Sequence, residues 1–165
     1  MLEGEPLIQR LARAAEPIAS SVTIVADVED KYADLGLETI ADVTPGLGPL
    51  GGMVTALGHL QREADSAQLL LLSCDMLVFR PRWAAMLASA AKAEPAAVIF
   101  DDGRWQPMPG IYHRRIMPNV RQLLSAGQRA MRQLLVQIGP ITVPVPADWP
   151  DRIQANRPED LEPGA

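Results

Sequence analysis

Two kinds of hydrophobic pattern alternate along this chain. Short apolar or β-branched runs predict strands, and longer segments with apolar residues at helical spacing predict amphipathic helices. The predicted strands cover residues 21–26, 38–41, 68–77, 96–100, 105–112 and 141–145. The predicted helices cover residues 7–15, 53–60, 81–93, 115–125 and 127–138. This order predicts one α/β domain over residues 1–165, with a three-layer, mostly parallel, doubly wound sheet and helices on both faces.

The segment with the sharpest pattern is QLLLLSCDML, residues 68–77. Its four consecutive leucines are too few to cross a bilayer, so they predict a strand buried on both faces in the middle of a parallel sheet. The run ends at Asp75. Ligands of open α/β sheets bind beyond the carboxyl ends of the strands, which makes Asp75 the candidate chemical centre. The alternative role for Asp75 is to cap the helix that follows.

A glycine-rich segment, TPGLGPLGG, occupies residues 44–52 and precedes the predicted helix 53–60. A turn of this kind leaves backbone N–H groups free for a phosphate, a base edge or a ribose, although many such turns are only tight connections. Asp42 follows the predicted strand 38–41. We expect Asp42 and Asp75 to meet in one crevice, where carboxylates and Mg²⁺ would steady phosphate charge during phosphoryl or nucleotidyl transfer.

Composition narrows the class of protein. With 48% hydrophobic and 21% charged residues, the chain is typical of a globular domain. A net charge of −5 disfavours nucleic acid and anionic membranes as partners. The single cysteine, the lack of a long apolar run and the lack of a signal pattern predict a cytoplasmic protein. Two histidines and one cysteine, without ligand spacing, disfavour zinc.

Prolines and basic residues add three local expectations. The strands 105–112 and 141–145 contain proline, so each is expected at a sheet edge or beside a cleft. Cys74 lies in the apolar run and is expected to be a small core residue. Arg114 and Arg115 form a basic pair that either faces a phosphate or begins a solvated helix.

Four motifs occur in a recognisable order. They are GPLGG at 48–52, LSCDM at 72–76, QPM to IY over 106–112, and QANRPEDL at 154–161. Together they resemble the molybdenum cofactor guanylyltransferases and their nucleotidyltransferase relatives, and the resemblance covers nearly the whole chain. This sequence has Met76 and Leu77 where the family usually has Thr and Pro, and Arg157 where Thr is common.

The resemblance implies an enzyme that transfers GMP from GTP to the phosphate of molybdopterin with Mg²⁺, with molybdenum cofactor assembly proteins as possible partners. It matches Asp75 to the catalytic, magnesium-binding aspartate. The implied nucleotide-binding residues are Asp42, Gly48 and Gly52, and the implied residues on the substrate side are Pro49, Leu50 and Asn156. A CTP-dependent enzyme, or one acting on another small molecule, is the nearest variant.

One family feature has no counterpart in this sequence. The family opens with a strand and a loop, L-A-G-G-x-S-x-R-M-G-x-D-K, which holds the triphosphate, whereas this sequence opens with MLEGEPLI, which resembles the segment after that loop. The resemblance therefore implies a sheet without its first strand. Two explanations follow: the true chain is longer, or the chain is a degenerate paralogue that acts as a non-catalytic binding or regulatory module.

Overall fold

The computed structural model of this chain describes residues 5–60 and 67–155. The helices are α1 (Leu7–Ala15), α2 (Gly48–Leu60), α3 (Pro81–Ala91), α4 (Met117–Ser125) and α5 (Met131–Ile138). The strands are β1 (Ile24–Ala26), β2 (Thr39–Ala41), β3 (Gln68–Leu71), β4 (Ala97–Asp101), β5 (Trp105–His113) and β6 (Ile141–Pro144). Within the described ranges, no helix is long and apolar enough to span a membrane.

The strands form two groups. β1 pairs with β2 in parallel, and the other four strands form a sheet in the order β3-β5-β4-β6. β5 is antiparallel to both β3 and β4, whereas β4 and β6 are parallel, so β3, β4 and β6 run in one direction. The predicted α/β architecture is confirmed, with β5 as the reversed strand of a mostly parallel arrangement.

Side chains of β4 show how the layers are built. Ala97 and Ile99 pack with α2, α4 and α5 in one cluster, which we call the first core. Val98 and Phe100 pack with α1 and α3 in a second cluster, the second core. Successive side chains of a strand point to opposite faces, so a run of apolar residues serves both cores. The helices therefore cover both faces of the sheet, as the sequence predicts.

The leucine strand differs from its prediction. β3 ends at Leu71, is partly exposed along its length and lies at the edge of the four-stranded sheet. Leu69 and Leu71 pack on the first core, and Leu70 and Leu72 on the second. Among the described residues, β3 pairs with β5 on one side only, so the burial expected for a central strand is incomplete. α2 contacts both β3 and β1 and so packs across the place where the two groups of strands part.

Of the two positions predicted for the proline-containing strand β5, the sheet edge is wrong, because β5 lies inside the sheet between β3 and β4. Its register with β4 jumps from the pair Ile99–Gly110 to the pair Phe100–Gln106. The residues between Gln106 and Gly110 form a bulge, in which a residue without an N–H does not break the ladder. By contrast, β6 lies at the sheet edge, as predicted.

Candidate active site

The glycine-rich segment is more regular than the sequence suggests. α2 begins at Gly48, so GPLGG forms the start of the helix rather than a flexible turn before residue 53. Pro49 suits this position, because the first helical turn needs no N–H donor there. Gly48 and Pro49 are exposed. Leu50 is fully buried in the first core, so its side chain packs inside the domain instead of facing a substrate.

Asp42 connects the end of β2 to α2. Its Oδ1 atom accepts hydrogen bonds from the Thr44 N–H at 2.9 Å, the Thr44 hydroxyl at 3.3 Å and the Thr55 hydroxyl at 2.7 Å. Thr55 is buried in α2, and its hydroxyl oxygen also accepts from the Val43 N–H at 3.0 Å. Asp42 therefore holds the glycine-rich segment in place. The signal for Thr55 in the sequence is a lone hydroxyl within the apolar helix.

Two further contacts shape the same segment. A Cβ added to Gly51 would lie 2.9 Å from the carbonyl oxygen of Thr44, so only glycine fits this close approach. The guanidinium of Arg129 donates to the carbonyl of Gly46 at 3.2 Å, and this places a cation beside the segment. Arg129 lies in the turn between α4 and α5, and nothing in the local sequence indicates the contact.

Gly52 offers a test of this helical start. The nearest atom to an added Cβ is Val25 Cγ1, at 4.0 Å. We expect Gly52→Ala to raise the free energy of unfolding by about 0.5–1 kcal/mol in a denaturant titration, because alanine loses less backbone entropy in a helix. Gly58→Ala is the matched control, since its nearest contact, Met117 Cε, lies at 3.9 Å on the same helix.

The two glycine variants together separate packing from ligand binding. Destabilisation by Gly52→Ala alone would contradict a helix that begins at Gly48. A Gly52→Ala variant that gains stability but loses nucleotide binding would place the nucleotide against this glycine.

Asp75 lies four residues beyond the end of β3 and is half-buried. The hydroxyl of Ser73 donates to its Oδ1 atom in a short hydrogen bond. Ser73 thereby restricts the carboxylate, and its place two residues before the aspartate is the sequence signal for that contact. The carboxylate is neither sealed in the interior nor used as a helix cap, because α3 begins only at Pro81.

The end of the described chain returns to Asp75. The main-chain carbonyl of Asp75 accepts from Ala155 N–H at 2.8 Å, and the Leu77 N–H donates to the carbonyl of Ile153 at 2.8 Å. Met76 and Gln154 form an antiparallel bridge between these contacts. The predicted site residue Asn156 lies outside the described residues. Its neighbour Ala155 donates the main-chain hydrogen bond to Asp75.

Cys74 was expected in the core but is exposed in the loop after β3. Partial burial raises the pKa of the Cys74 thiol, and the neighbouring charge of Asp75 raises it further. A thiol of raised pKa stays protonated near neutral pH, so Cys74 is a poor nucleophile.

The described residues contain no group of three or more histidine, cysteine, aspartate or glutamate side chains that could hold a metal ion. Asp42 and Asp75 are each held by their own neighbours, on separate groups of strands. In the described residues, these two carboxylates do not form a complete protein cage for a metal ion. Mg²⁺ commonly takes one or two carboxylates and completes its shell with water and substrate phosphates.

The described residues also form two grooves and a basic pair. A groove of about 670 Å³ separates α4 from α5 and is lined mainly by glutamines and alkyl groups. A smaller groove of about 250 Å³ lies between α1 and residues 77–79, directly after the aspartate. Arg115 follows the C-terminal end of β5, and its guanidinium donates to the carbonyl of Glu94. Because β5 is antiparallel to β3, the pair Arg114–Arg115 lies at the opposite end of the strands from Asp75 and does not face this site.

Comparison with known proteins identifies the family of this chain. The family model described as the MobA-like NTP transferase domain matches residues 1–141. The chain belongs to this family. Membership of the MobA-like NTP transferases makes it a nucleotidyltransferase.

Curated relatives carry a narrower name. The chain is 29% identical over 163 residues to the molybdenum cofactor guanylyltransferase of Pseudomonas fluorescens, a match that covers 96% of this chain and 80% of the relative. It is 30% identical over 168 residues to the probable molybdenum cofactor guanylyltransferase of Synechococcus elongatus, with coverage of 98% and 85%. The MobA-like chain is thus similar to proteins named for molybdenum cofactor synthesis.

Solved structures support the fold. Molybdopterin-guanine dinucleotide biosynthesis protein A from Archaeoglobus fulgidus superposes with a TM-score of 0.72 and 21% identity, covering 88% of this chain and 73% of that protein. The 2-C-methyl-D-erythritol 4-phosphate cytidylyltransferase from Thermus thermophilus has a TM-score of 0.72 at 15% identity, with coverage of 98% and 88%. The MobA-like chain therefore has the fold of these proteins.

Proposed function

We propose that this chain transfers GMP from GTP to the phosphate of molybdopterin, with Mg²⁺ as its cofactor. The observation that carries the proposal is the half-buried Asp75, whose carboxylate lies beyond β3 and accepts from Ser73, and whose main-chain carbonyl accepts from Ala155. The names of the relatives support the choice of nucleotide and acceptor. Asp42 and the start of α2 belong to the nucleotide side of the site.

The proposed reaction requires the protein mainly to position the two substrates. A phosphate oxygen of the acceptor attacks the α-phosphorus of GTP, the bond to the bridging oxygen of the β-phosphate breaks, and pyrophosphate leaves. Such in-line transfer depends on orientation and on neutralising phosphate charge rather than on a protein base. Bound Mg²⁺ would supply that neutralisation, and Asp75 is the residue that would hold it. Ser73 orients this carboxylate.

Separate contacts fix the residues on the nucleotide side of the proposed site. Asp42 fixes the start of α2 through Thr44 and Thr55, so the exposed residues Gly48 and Pro49 keep a constant position. Helix N-termini favour phosphate because their N–H groups lack partners within the helix. Arg129, bonded to the carbonyl of Gly46, adds a positive charge nearby.

The experiment combines the purified chain, GTP, Mg²⁺ and molybdopterin, and follows both the guanylated product and pyrophosphate. We expect both products with GTP and neither with CTP or ATP. Product formation with CTP instead would identify the CTP-dependent variant. Binding of GTP and molybdopterin without any product would favour the non-catalytic module and contradict the proposed transfer.

A further inference from the structure

Tyr112 combines a buried ring with one directed hydrogen bond. The residue is fully buried in the first core, and its hydroxyl donates to the carbonyl of Pro107 at 2.7 Å. Burial raises the pKa of the Tyr112 phenol far above its ordinary value, so the hydroxyl keeps its proton as a donor. Because the ring is inaccessible, Tyr112 cannot touch a substrate, and any functional effect must pass through the Pro107 carbonyl.

The Pro107 carbonyl belongs to the bulge between Gln106 and Gly110 on β5. A Cβ added to Gly110 would lie 2.6 Å from the carbonyl oxygen of Pro107 and 2.9 Å from Cε2 of the Tyr112 ring. The bulge, the glycine and the ring therefore fit together without spare room. The hydrogen bond from the Tyr112 hydroxyl to the Pro107 carbonyl holds the bulge against the ring.

The bulge lies beside the chain that leads to Asp75. The last pair of the β3–β5 ladder is Leu71–Gly110, so the chain beyond Leu71 passes the bulge before it reaches the aspartate. Leu72, Met108 and Ile153 all pack against the second core. The bulge, the loop that carries Asp75 and the segment around Ile153 therefore all pack against the second core.

Two different groups of elements flank β3, the strand that leads to Asp75. α2 joins β3 to the pair β1–β2, which carries Asp42 and the glycine-rich segment. β5 occupies the other edge of β3. In the proposed function the nucleotide lies beside Asp42 and the start of α2, which leaves the bulge side of the Asp75 loop for the acceptor.

We infer that Tyr112 is a positioning residue for the phosphorylated acceptor: by holding the Pro107 carbonyl, it fixes the bulge that forms the acceptor side of the Asp75 site. The inference rests on the proposed function. It assigns a role in acceptor specificity to a residue that has no access to the acceptor.

The test is Tyr112→Phe, which removes one hydroxyl and keeps the ring. We expect the KM for molybdopterin to rise about fivefold, because the bulge is no longer held in place, while the KM for GTP stays within about twofold. The loss of the same bond is expected to lower the melting temperature by about 2–4 °C.

The matched control is Ile116→Val, a similar small loss in the first core beyond the C-terminal end of β5, far from the bulge along the strand. It is expected to lower the melting temperature by a comparable amount and to leave both KM values unchanged. Equal KM changes in the two variants would overturn the inference, because they would show a general effect of stability.

Calorimetry with molybdopterin alone separates this inference from the proposed function. We expect weaker acceptor binding in Tyr112→Phe and unchanged binding in Ile116→Val. A wild-type chain that binds molybdopterin but forms no product would contradict the transfer reaction and still test Tyr112 through this binding. Unchanged acceptor affinity in Tyr112→Phe would overturn the role of Tyr112 whether or not the chain is active.

Discussion

The Asp75→Asn variant is expected to transfer GMP at least about 100-fold more slowly than the wild-type chain, a loss typical of removing one electrostatic contact to the reacting group. Asparagine has nearly the same shape and can still accept the Ser73 hydrogen bond, so the loop should keep its structure. What it lacks is the negative charge needed to hold Mg²⁺ beside the phosphates. Initial rates and calorimetry of GTP with and without Mg²⁺ measure the effect.

A charge-matched control makes this result specific. Asp34→Asn removes one negative charge from the exposed turn Ala33–Leu35 and should leave both the rate and the Mg²⁺ dependence unchanged. Thermal unfolding of both variants checks that each is folded. If GTP binding depends on Mg²⁺ as strongly in Asp75→Asn as in the wild type, Asp75 is not the metal ligand.

The Gly110→Ala variant is expected to lose about 1–3 kcal/mol of unfolding free energy, the usual cost of overpacking a well-filled core. The added Cβ would meet a main-chain carbonyl at 2.6 Å and the buried ring of Tyr112 at 2.9 Å, and neither can move without disturbing β5. Urea denaturation measures the loss. Because β5 pairs with both β3 and β4, we expect one cooperative transition at lower denaturant concentration.

Gly58→Ala is the control for glycine replacement as such. Its added Cβ meets only ordinary van der Waals contact in α2, so we expect a gain of about 0.5–1 kcal/mol instead of a loss. A Gly110→Ala variant as stable as the wild type would show that the bulge can rearrange. That result would also weaken the role assigned to Tyr112.

Local patterns were sufficient for several elements. The helical spacing of apolar residues predicts Leu7–Ala15 with the bounds that α1 has. The apolar run 96–100 predicts β4 to within one residue at each end. The prediction that helices cover both faces also holds, because period-2 and period-3.6 patterns depend only on residues a few positions apart. The location of Asp75 beyond the end of a strand follows from the same local reasoning.

Other features depend on partners far away in the chain. The prolines of β5 predict an edge strand, yet the bulge lets β5 lie inside the sheet. The leucines of β3 predict full burial, but burial depends on which strands lie beside it. The start of α2 at Gly48 depends on Asp42 and Thr55, which hold that segment from outside it.

The sequence by itself determined the α/β class, the order of most elements and the place of Asp75, because hydrophobic periodicity and strand ends are local properties. Only the tertiary structure decided that Ala155 donates a main-chain hydrogen bond to Asp75, that Thr55 anchors Asp42, and that Tyr112 holds the bulge. The physical reason is that a hydrogen bond between distant segments depends on how whole layers pack. The spacing of residues along the chain does not predict that packing.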